Sequence, residues 1–285
     1  MLANLVARVC ARPTSLLYHY TSLSGLAGIA RSRRLWVSDL HYLNDAAELA
    51  HFSSLVVMEI RQRQAAGDTR NVLEQLASWL PDRTRAGQAI FCGSFTEQGN
   101  LLSQWRGYCP YGQGVSLGFD PNALAVSADR QSFAIGRCIY DPVEQRMLAS
   151  EVVDGVVAAA TESPPSRAHP AQSFHASFAT FEEEIMLVGA FMKSGAFREE
   201  QEWRIVSPPQ RNHVEAPIEH RVGRTMLIPY MDFVLPTDTE GRLELAQVIV
   251  GPTPTMGESM RSLAQFLGKH TSGYVLQNGL IPYRE

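Results

Sequence analysis

Two short stretches carry residue types spaced for chemistry. Tyr18-His19-Tyr20-Thr21 ends an apolar run that begins at Leu16, so His19 and Thr21, two residues apart, share one face of a strand. An imidazole offers a donor and an acceptor near neutral pH, and a hydroxyl beside it completes a polar pair. A single histidine on a strand is more often a satisfied core residue; Thr21 on the same face sets His19 apart. Late in the chain Glu202 and Arg204 repeat the two-residue spacing. The guanidinium either holds a working carboxylate ionised or makes a structural ion pair with it, and the spacing leaves both open. Ser94 follows Gly93, where a strand glycine allows close backbone approach to a ligand or marks a bulge. Trp105, Tyr108 and Trp203 either fill the core or stack on a flat ligand, with core the default for the two tryptophans.

Other chemistries find less support. The eight histidines show no H-E-x-x-H or comparable ligand spacing, and Gly25 and Gly28 fall beside a helix rather than in a G-x-G-x-x-G loop. A Cys-His hydrolase can be pictured from Cys92 and His19 on adjacent strands, with nothing further behind it. Four cysteines without C-x-x-C pairing read as reduced thiols. The 25 Lys and Arg against 29 Asp and Glu contain no cluster for sequence-nonspecific nucleic-acid binding, Arg31, Arg33 and Arg34 being the nearest to one and reading best as a solvated helix end.

The elements that must position these residues follow from pattern. A strand to Tyr20 leads through Thr21-Ser22 into a helix with Leu23, Leu26 and Ile29 at helical spacing, then a strand at Leu35-Trp36-Val37-Ser38. Asn44-Asp45 reads as the cap of a helix from about Ala46 to Gln64, with Glu48, Glu59 and its Arg61/Arg63 end expected in solvent. Strands are expected over 89–95 and 114–119, with 134–140 as the hairpin partner of the latter and an amphipathic stretch over 100–108 between them. A mostly helical insertion over about 142–197, broken at a surface loop near Ser163-Pro164-Pro165-Ser166, precedes a strand from Glu202 that Pro208-Pro209 stops. Strands near 225–228, 246–250 and 274–277 and a helix over about 257–267 complete the chain. Without βαβ alternation, this is an α+β fold with a mixed, largely antiparallel sheet, expected as a single domain over 1–285. No 18-residue apolar run and no basic-apolar leader occurs, which points to a cytoplasmic protein.

Tyr18-His19-Tyr20-Thr21, the helix after it, Leu35-Trp36-Val37-Ser38 and Leu43-Asn44-Asp45 resemble the opening of the bacterial family called domain of unknown function 2971. Gly93-Ser94-Phe95 with the stretch from Asn100 to Tyr108 is similar to its centre, and Glu200-Gln201-Glu202-Trp203-Arg204-Ile205 and Ile281-Pro282-Tyr283-Arg284 to its late segments. The match runs in order over most of the chain and is weak between about 142 and 190. The family is similar in fold to ADP-ribosyltransferases, with helices flanking a split sheet, and the opening also looks like that of DNA-targeting ADP-ribosyltransferase toxins and RNA 2′-phosphotransferases. The resemblance implies NAD as substrate and an NAD-dependent ADP-ribosyltransferase, as a toxin or anti-phage effector acting on a protein or nucleic acid, with an antitoxin or immunity partner. By position it places Glu202 at the nicotinamide ribose and His19 and Thr21 on a ribose of NAD. Tyr20 and Ser94 then line the pocket, and Trp105 or Tyr108 stacks on a ring. Tyr42 and Tyr108 compete for the second aromatic of the histidine-tyrosine-glutamate class. Glu200-Gln201-Glu202 also resembles the E-x-E signature of the arginine-directed class, so the class stays open. An NAD glycohydrolase and a non-catalytic nucleotide- or protein-binding module are the alternatives.

Overall fold

The computed structural model describes residues 2–43, 48–110, 112–162, 170–212, 214–279 and 281; the Asn44-Asp45 cap, the loop at Ser163-Pro164-Pro165-Ser166 and the closing Pro282-Tyr283-Arg284 lie outside them. The chain opens with α1 (Leu2–Val9), β1 (Leu17–Ser22), α2 (Leu23–Ser32) and β2 (Arg34–Asp39), then two long helices, α3 (Glu48–Ala65) and α4 (Asn71–Ala86). Its middle holds β3 (Phe91–Thr96), α5 (Leu102–Tyr108), β4 (Gly114–Phe119), α6 (Pro121–Arg130) and β5 (Ala134–Arg137), followed by α7 (Pro142–Glu162), α8 (His175–Thr180) and α9 (Glu182–Ala190). The last part is β6 (Glu202–Val206), β7 (Glu219–Val222), β8 (Leu227–Val234), β9 (Leu243–Glu244), β10 (Gln247–Val250), α10 (Met256–His270), β11 (Thr271–Ser272) and β12 (Val275–Asn278). Among the described residues no helix is long and apolar enough to cross a membrane.

The result is an α+β fold on one mixed, mostly antiparallel sheet in the order β12-β10-β4-β1-β3-β2-β8-β7, with β6 on β3 and β5 on β6. The parallel pair in it is β10 with β12. One face is covered by α1, α3, α4, α7, α8 and α9, whose apolar side chains form a core with Ile90, Cys92 and Val206. The opposite face packs Phe91, Phe95, Leu117 and Phe233 against α2, α6 and α10. The helices of the 142–197 stretch therefore share a core with α1, α3 and α4 instead of standing apart.

The sheet is split. β1 registers with β3 only at Tyr18↔Thr96, and β2 registers with β3 only at Ser38↔Cys92 and Asp39↔Phe91. Both strands thus claim the same edge of β3 from opposite ends. Between them Gly93, Ser94 and Phe95 register with β6 alone. A V-shaped gap opens there, its walls β1 and β2 and its base β3.

Two expectations need correcting. Residues 134–140 are not the hairpin partner of 114–119: both edges of β4 are taken by β1 and β10, so β5 pairs with β6. Between β4 and β5 the chain forms α6, started by Pro121 at its first turn and by Asp120, whose carboxylate accepts from the Asn122 and Ala123 amides at 2.9 Å. Nor does Gly93 mark a bulge. The ladder runs unbroken through Gly93↔Ile205, and a Cβ at Gly93 would lie 2.9 Å from Val37 Cγ1 and 3.0 Å from Ile205 Cγ1. The missing side chain makes room for the core. Gly93→Val should accordingly overpack that core and lower stability by about 1–3 kcal/mol, read as a lower urea midpoint at unchanged slope. An unchanged midpoint would refute this packing account.

Candidate functional site

The gap in the sheet forms a cleft of about 870 Å³. It is lined by Tyr18 to Ser22 of β1, by the first turns of α2, by Arg34, Trp36 and Ser38 of β2, and by Cys92 to Thr96 of β3. Gln104 and Tyr108 of α5 and the charged groups Lys193, Glu200, Glu202 and Arg204 complete one side, Arg221 and Ile228 the other.

His19 bridges the gap. Its Nδ1 lies 3.0 Å from the Ser94 carbonyl oxygen, and a carbonyl only accepts, so Nδ1–H is the donor. The side chain stands in for the ladder bond that no strand supplies at Ser94. This fixes the tautomer: the neutral ring keeps an unprotonated Nε2, for which no protein partner is found among the described residues. Burial lowers the pKa of the imidazole, against a smaller upward pull from the Ser94 carbonyl, so the neutral ring is favoured to lower pH than in a free histidine. Thr21 sits two residues on, its hydroxyl over Gly25, where a Cβ would lie 2.0 Å from Oγ1. Only glycine fits there, and Ser22 caps the same turn by accepting from the Gly25 amide at 3.0 Å.

Glu202 is 4% exposed at the head of β6. Oε1 accepts from Arg204 Nε at 2.8 Å, and Oε2 accepts from Lys193 Nζ at 2.5 Å. Lys193 also donates to Glu200 Oε2 at 2.8 Å, and Arg204 reaches Glu48 on α3 at 2.6 Å and the Ala190 carbonyl at the end of α9 at 2.6 Å. Burial alone would raise the Glu202 pKa; the charges of Arg204 and Lys193 and their hydrogen bonds override it and bring it down to about 2. For Glu48 burial prevails over Arg204 and its pKa is raised. Among the described residues three carboxylates, Glu48, Glu200 and Glu202, gather around two cations, Arg204 and Lys193. The spacing of Glu202 and Arg204 read from sequence is therefore a real ion pair, and Glu202 is at once a structural group and a carboxylate held ionised in the cleft wall.

The expected site residues do not all meet. His19, Thr21, Ser94, Tyr108 and Glu202 line the cleft together. Tyr20 lines it too, but its hydroxyl donates to the Gln98 carbonyl at 2.6 Å and accepts from the Leu101 amide at 2.8 Å, and its ring meets Trp105 edge-on at 4.6 Å. Trp105 stands outside the cleft: it is 3% exposed, packed with Tyr20 and Ile249, and its Nε1 donates to Asn100 Oδ1 at 2.9 Å. It is a core residue and no ring platform, because Asn100 five residues earlier satisfies its one polar atom. Trp203 is likewise buried, with Nε1 on Glu97. Tyr42 and Tyr108 both present exposed rings to the cleft. Cys92 is no nucleophile, since burial pushes its thiol up to about 12 and His19 is engaged with Ser94.

Lys193 escaped the sequence reading, and Glu48, expected on the solvated side of its helix, is instead buried at 8% exposure because it pairs with Arg204. A signal for Lys193 exists, because the chain has only two lysines among its 25 basic residues, Lys193 and Lys269, and the first sits in the apolar context Phe191-Met192-Lys193. Glu48 has none, as its partner Arg204 is 156 residues away. Trp36, on the cleft wall, was read only as part of a strand.

Fold and site together define an α+β protein with a ligand-sized cleft in a split sheet, floored by a buried carboxylate and cation cluster. Of the family models, one described as Protein of unknown function (DUF2971) matches residues 104–205, the stretch from α5 to β6 that ends on the Glu202 strand. It supports the resemblance seen in the sequence over that stretch. No curated protein and no solved structure matches the chain.

Removing the cation between the carboxylates tests the cluster. Lys193→Met should destabilise the protein by about 3–5 kcal/mol at pH 7, as expected when a buried charge loses its partner, and a melting temperature equal to wild type would overturn the network as drawn. The pH dependence has a defined sign. A carboxyl whose folded pKa, about 2, lies below its ordinary 4.5 adds stability that is complete above pH 4.5 and lost as pH falls toward 2. Glu202→Gln should flatten the stability profile in that window.

Proposed function

We propose that the protein is an NAD-dependent ADP-ribosyltransferase that binds NAD in the cleft of the split sheet. The observation that carries this reading is the convergence, in one nucleotide-sized gap, of His19 from the first strand and Glu202 from the sixth. Breaking the bond between nicotinamide and ribose sends both bonding electrons out with nicotinamide and leaves an oxocarbenium-like carbon. Glu202, held ionised and fixed by Arg204 and Lys193, favours positive charge developing beside it and needs no reorganisation to do so. The acceptor then forms its bond to that carbon and gives up a proton. His19 contributes binding: Nε2 of the neutral ring accepts from a ribose hydroxyl, whereas contact with a diphosphate oxygen would require an imidazolium that burial opposes.

Nicotinamide release from NAD by purified protein, with and without a bacterial lysate as acceptor source, tests the assignment. Release is expected from wild type and should fall at least a hundredfold in Glu202→Gln, with melting curves and NAD-induced stabilisation confirming that the variant folds and binds. Release that needs the lysate marks transfer, and release without it marks an NAD glycohydrolase built on the same chemistry. Binding of NAD with no release under either condition would leave a nucleotide-binding module and defeat the enzyme reading. If the target is an essential macromolecule, expression should arrest growth and Glu202→Gln should lift the arrest.

The His19 role has its own pH signature. NAD affinity should weaken as pH falls, with its midpoint below the ordinary histidine value of 6.5, as the depressed imidazole protonates. Affinity that instead tightens between pH 7 and 6 would assign His19 to the diphosphate.

A further inference from the structure

We propose that the uncovered face of the β2-β8-β7 half-sheet is the adenine nucleotide subsite of this cleft, with the ring of Trp36 stacking the base and Arg221 holding its phosphate. This rests on the NAD reading and assigns the wall that takes the far nucleotide.

Register places Ser38 directly opposite Cys92, so Arg34, Trp36 and Ser38 project to the sheet face that carries Cys92. Asp232 and Tyr230 of β8 and Arg221 of β7 join them on that face. Leu35, Val37, Met231 and Phe233 point the other way, into the core with α2 and α6. The helical layer that buries Cys92 takes in no residue of β2, β8 or β7, and this half-sheet is left open beside the cleft.

Trp36 is 55% exposed, whereas Trp79, Trp105 and Trp203 are 7%, 3% and 6% exposed. It lines the cleft and is braced by Tyr230, ring centroids 4.7 Å apart at 35°. A large amphipathic ring held in place yet left in water suits a flat partner that arrives from solution. Beside it, Arg221 Nη2 donates to Ser38 Oγ at 3.2 Å, and among the described residues Arg221 makes no ion pair. Arg34 on the same face is by contrast neutralised by Asp232 at 2.8 Å. A guanidinium with no carboxylate partner, facing a cleft next to an aromatic ring, matches the base and phosphate of one nucleotide.

Position decides which nucleotide. Trp36 lies at the level of Ser94 on β2, two strands from β6, and two residues along from Glu202, which is opposite Thr96. With roughly 4.8 Å between paired strands and 3.3 Å per residue, and with β2 already parted from β3 at this level, its Cα is more than about 12 Å from that of Glu202. A ribose at Glu202 therefore puts nicotinamide at the floor and leaves the other base for Trp36.

Trp36 is the exposed indole of the chain, so its emission reports its own occupancy. Titration of the purified protein with AMP should quench tryptophan fluorescence in wild type and not in Trp36→Leu. By calorimetry Trp36→Leu should bind AMP roughly tenfold to a hundredfold more weakly, and Trp36→Phe should recover most of that loss. Arg221→Met should weaken AMP about tenfold and leave adenosine within about twofold. Quenching by nicotinamide mononucleotide in place of AMP would overturn the assignment by reversing the ligand. Tighter quenching by a short oligothymidine than by AMP would overturn it in favour of a nucleic-acid face, and absence of AMP quenching, or its persistence in Trp36→Leu, would overturn it outright. The two readings fail separately. AMP binding at Trp36 without nicotinamide release removes the activity and keeps the subsite, and release with unchanged KM in Trp36→Leu removes the subsite and keeps the activity.

Discussion

Everything near the cleft depends on keeping Arg204 in the interior. The guanidinium is 1% exposed, and an isolated buried charge would be prohibitively costly. It is tolerated because three parts of the chain converge on it: Glu202 from its own strand, Glu48 from the start of α3 and the Ala190 carbonyl from the end of α9. Lys193 closes the set by joining Glu202 to Glu200. The network ties the helical layer to the centre of the sheet and fixes the direction of the Glu202 carboxylate in the cleft wall. Stability and geometry there have a single source, so the group best placed for chemistry is also one the fold can least spare.

The split in the sheet has an equally local origin. β1 and β2 are joined by a ten-residue helix, and both return to the same edge of β3. Strand twist keeps them from lying on that edge together, so each keeps one end and they part in the middle. An unpaired carbonyl at Ser94 would be the cost of the opening, and His19 covers it.

What the sequence disclosed was whatever neighbours in the chain decide. β1, α2, β2, β4 and α10 follow from periodicity and from caps such as Ser22, and the two-residue spacing of Glu202 and Arg204 gave their pairing directly. Matters settled by distant residues were hidden. The partner of β5 depended on β10, more than a hundred residues later, having occupied the free edge of β4. Trp105 has the composition of a stacking ring and became core because Asn100 and Tyr20 enclose it. Trp36 has the setting of a core strand residue and is exposed because, among the described residues, the helical layer leaves its face of that half-sheet uncovered. Helix α4 was missed because Pro81 interrupts its pattern, although its buried face from Val72 to Leu80 is regular.

The imidazole across the split gives the molecule an adjustable joint. Where a binding site is enclosed by loops, its dimensions follow from backbone length, and resizing it takes insertions or deletions. Here the distance between two strands is held by a ring donating to a backbone oxygen. One side-chain exchange at residue 19 would therefore shift the β1 wall relative to the base strand β3 and so change the width of the cleft. A lineage built on this plan can alter the span of ligand it accepts by point substitution alone.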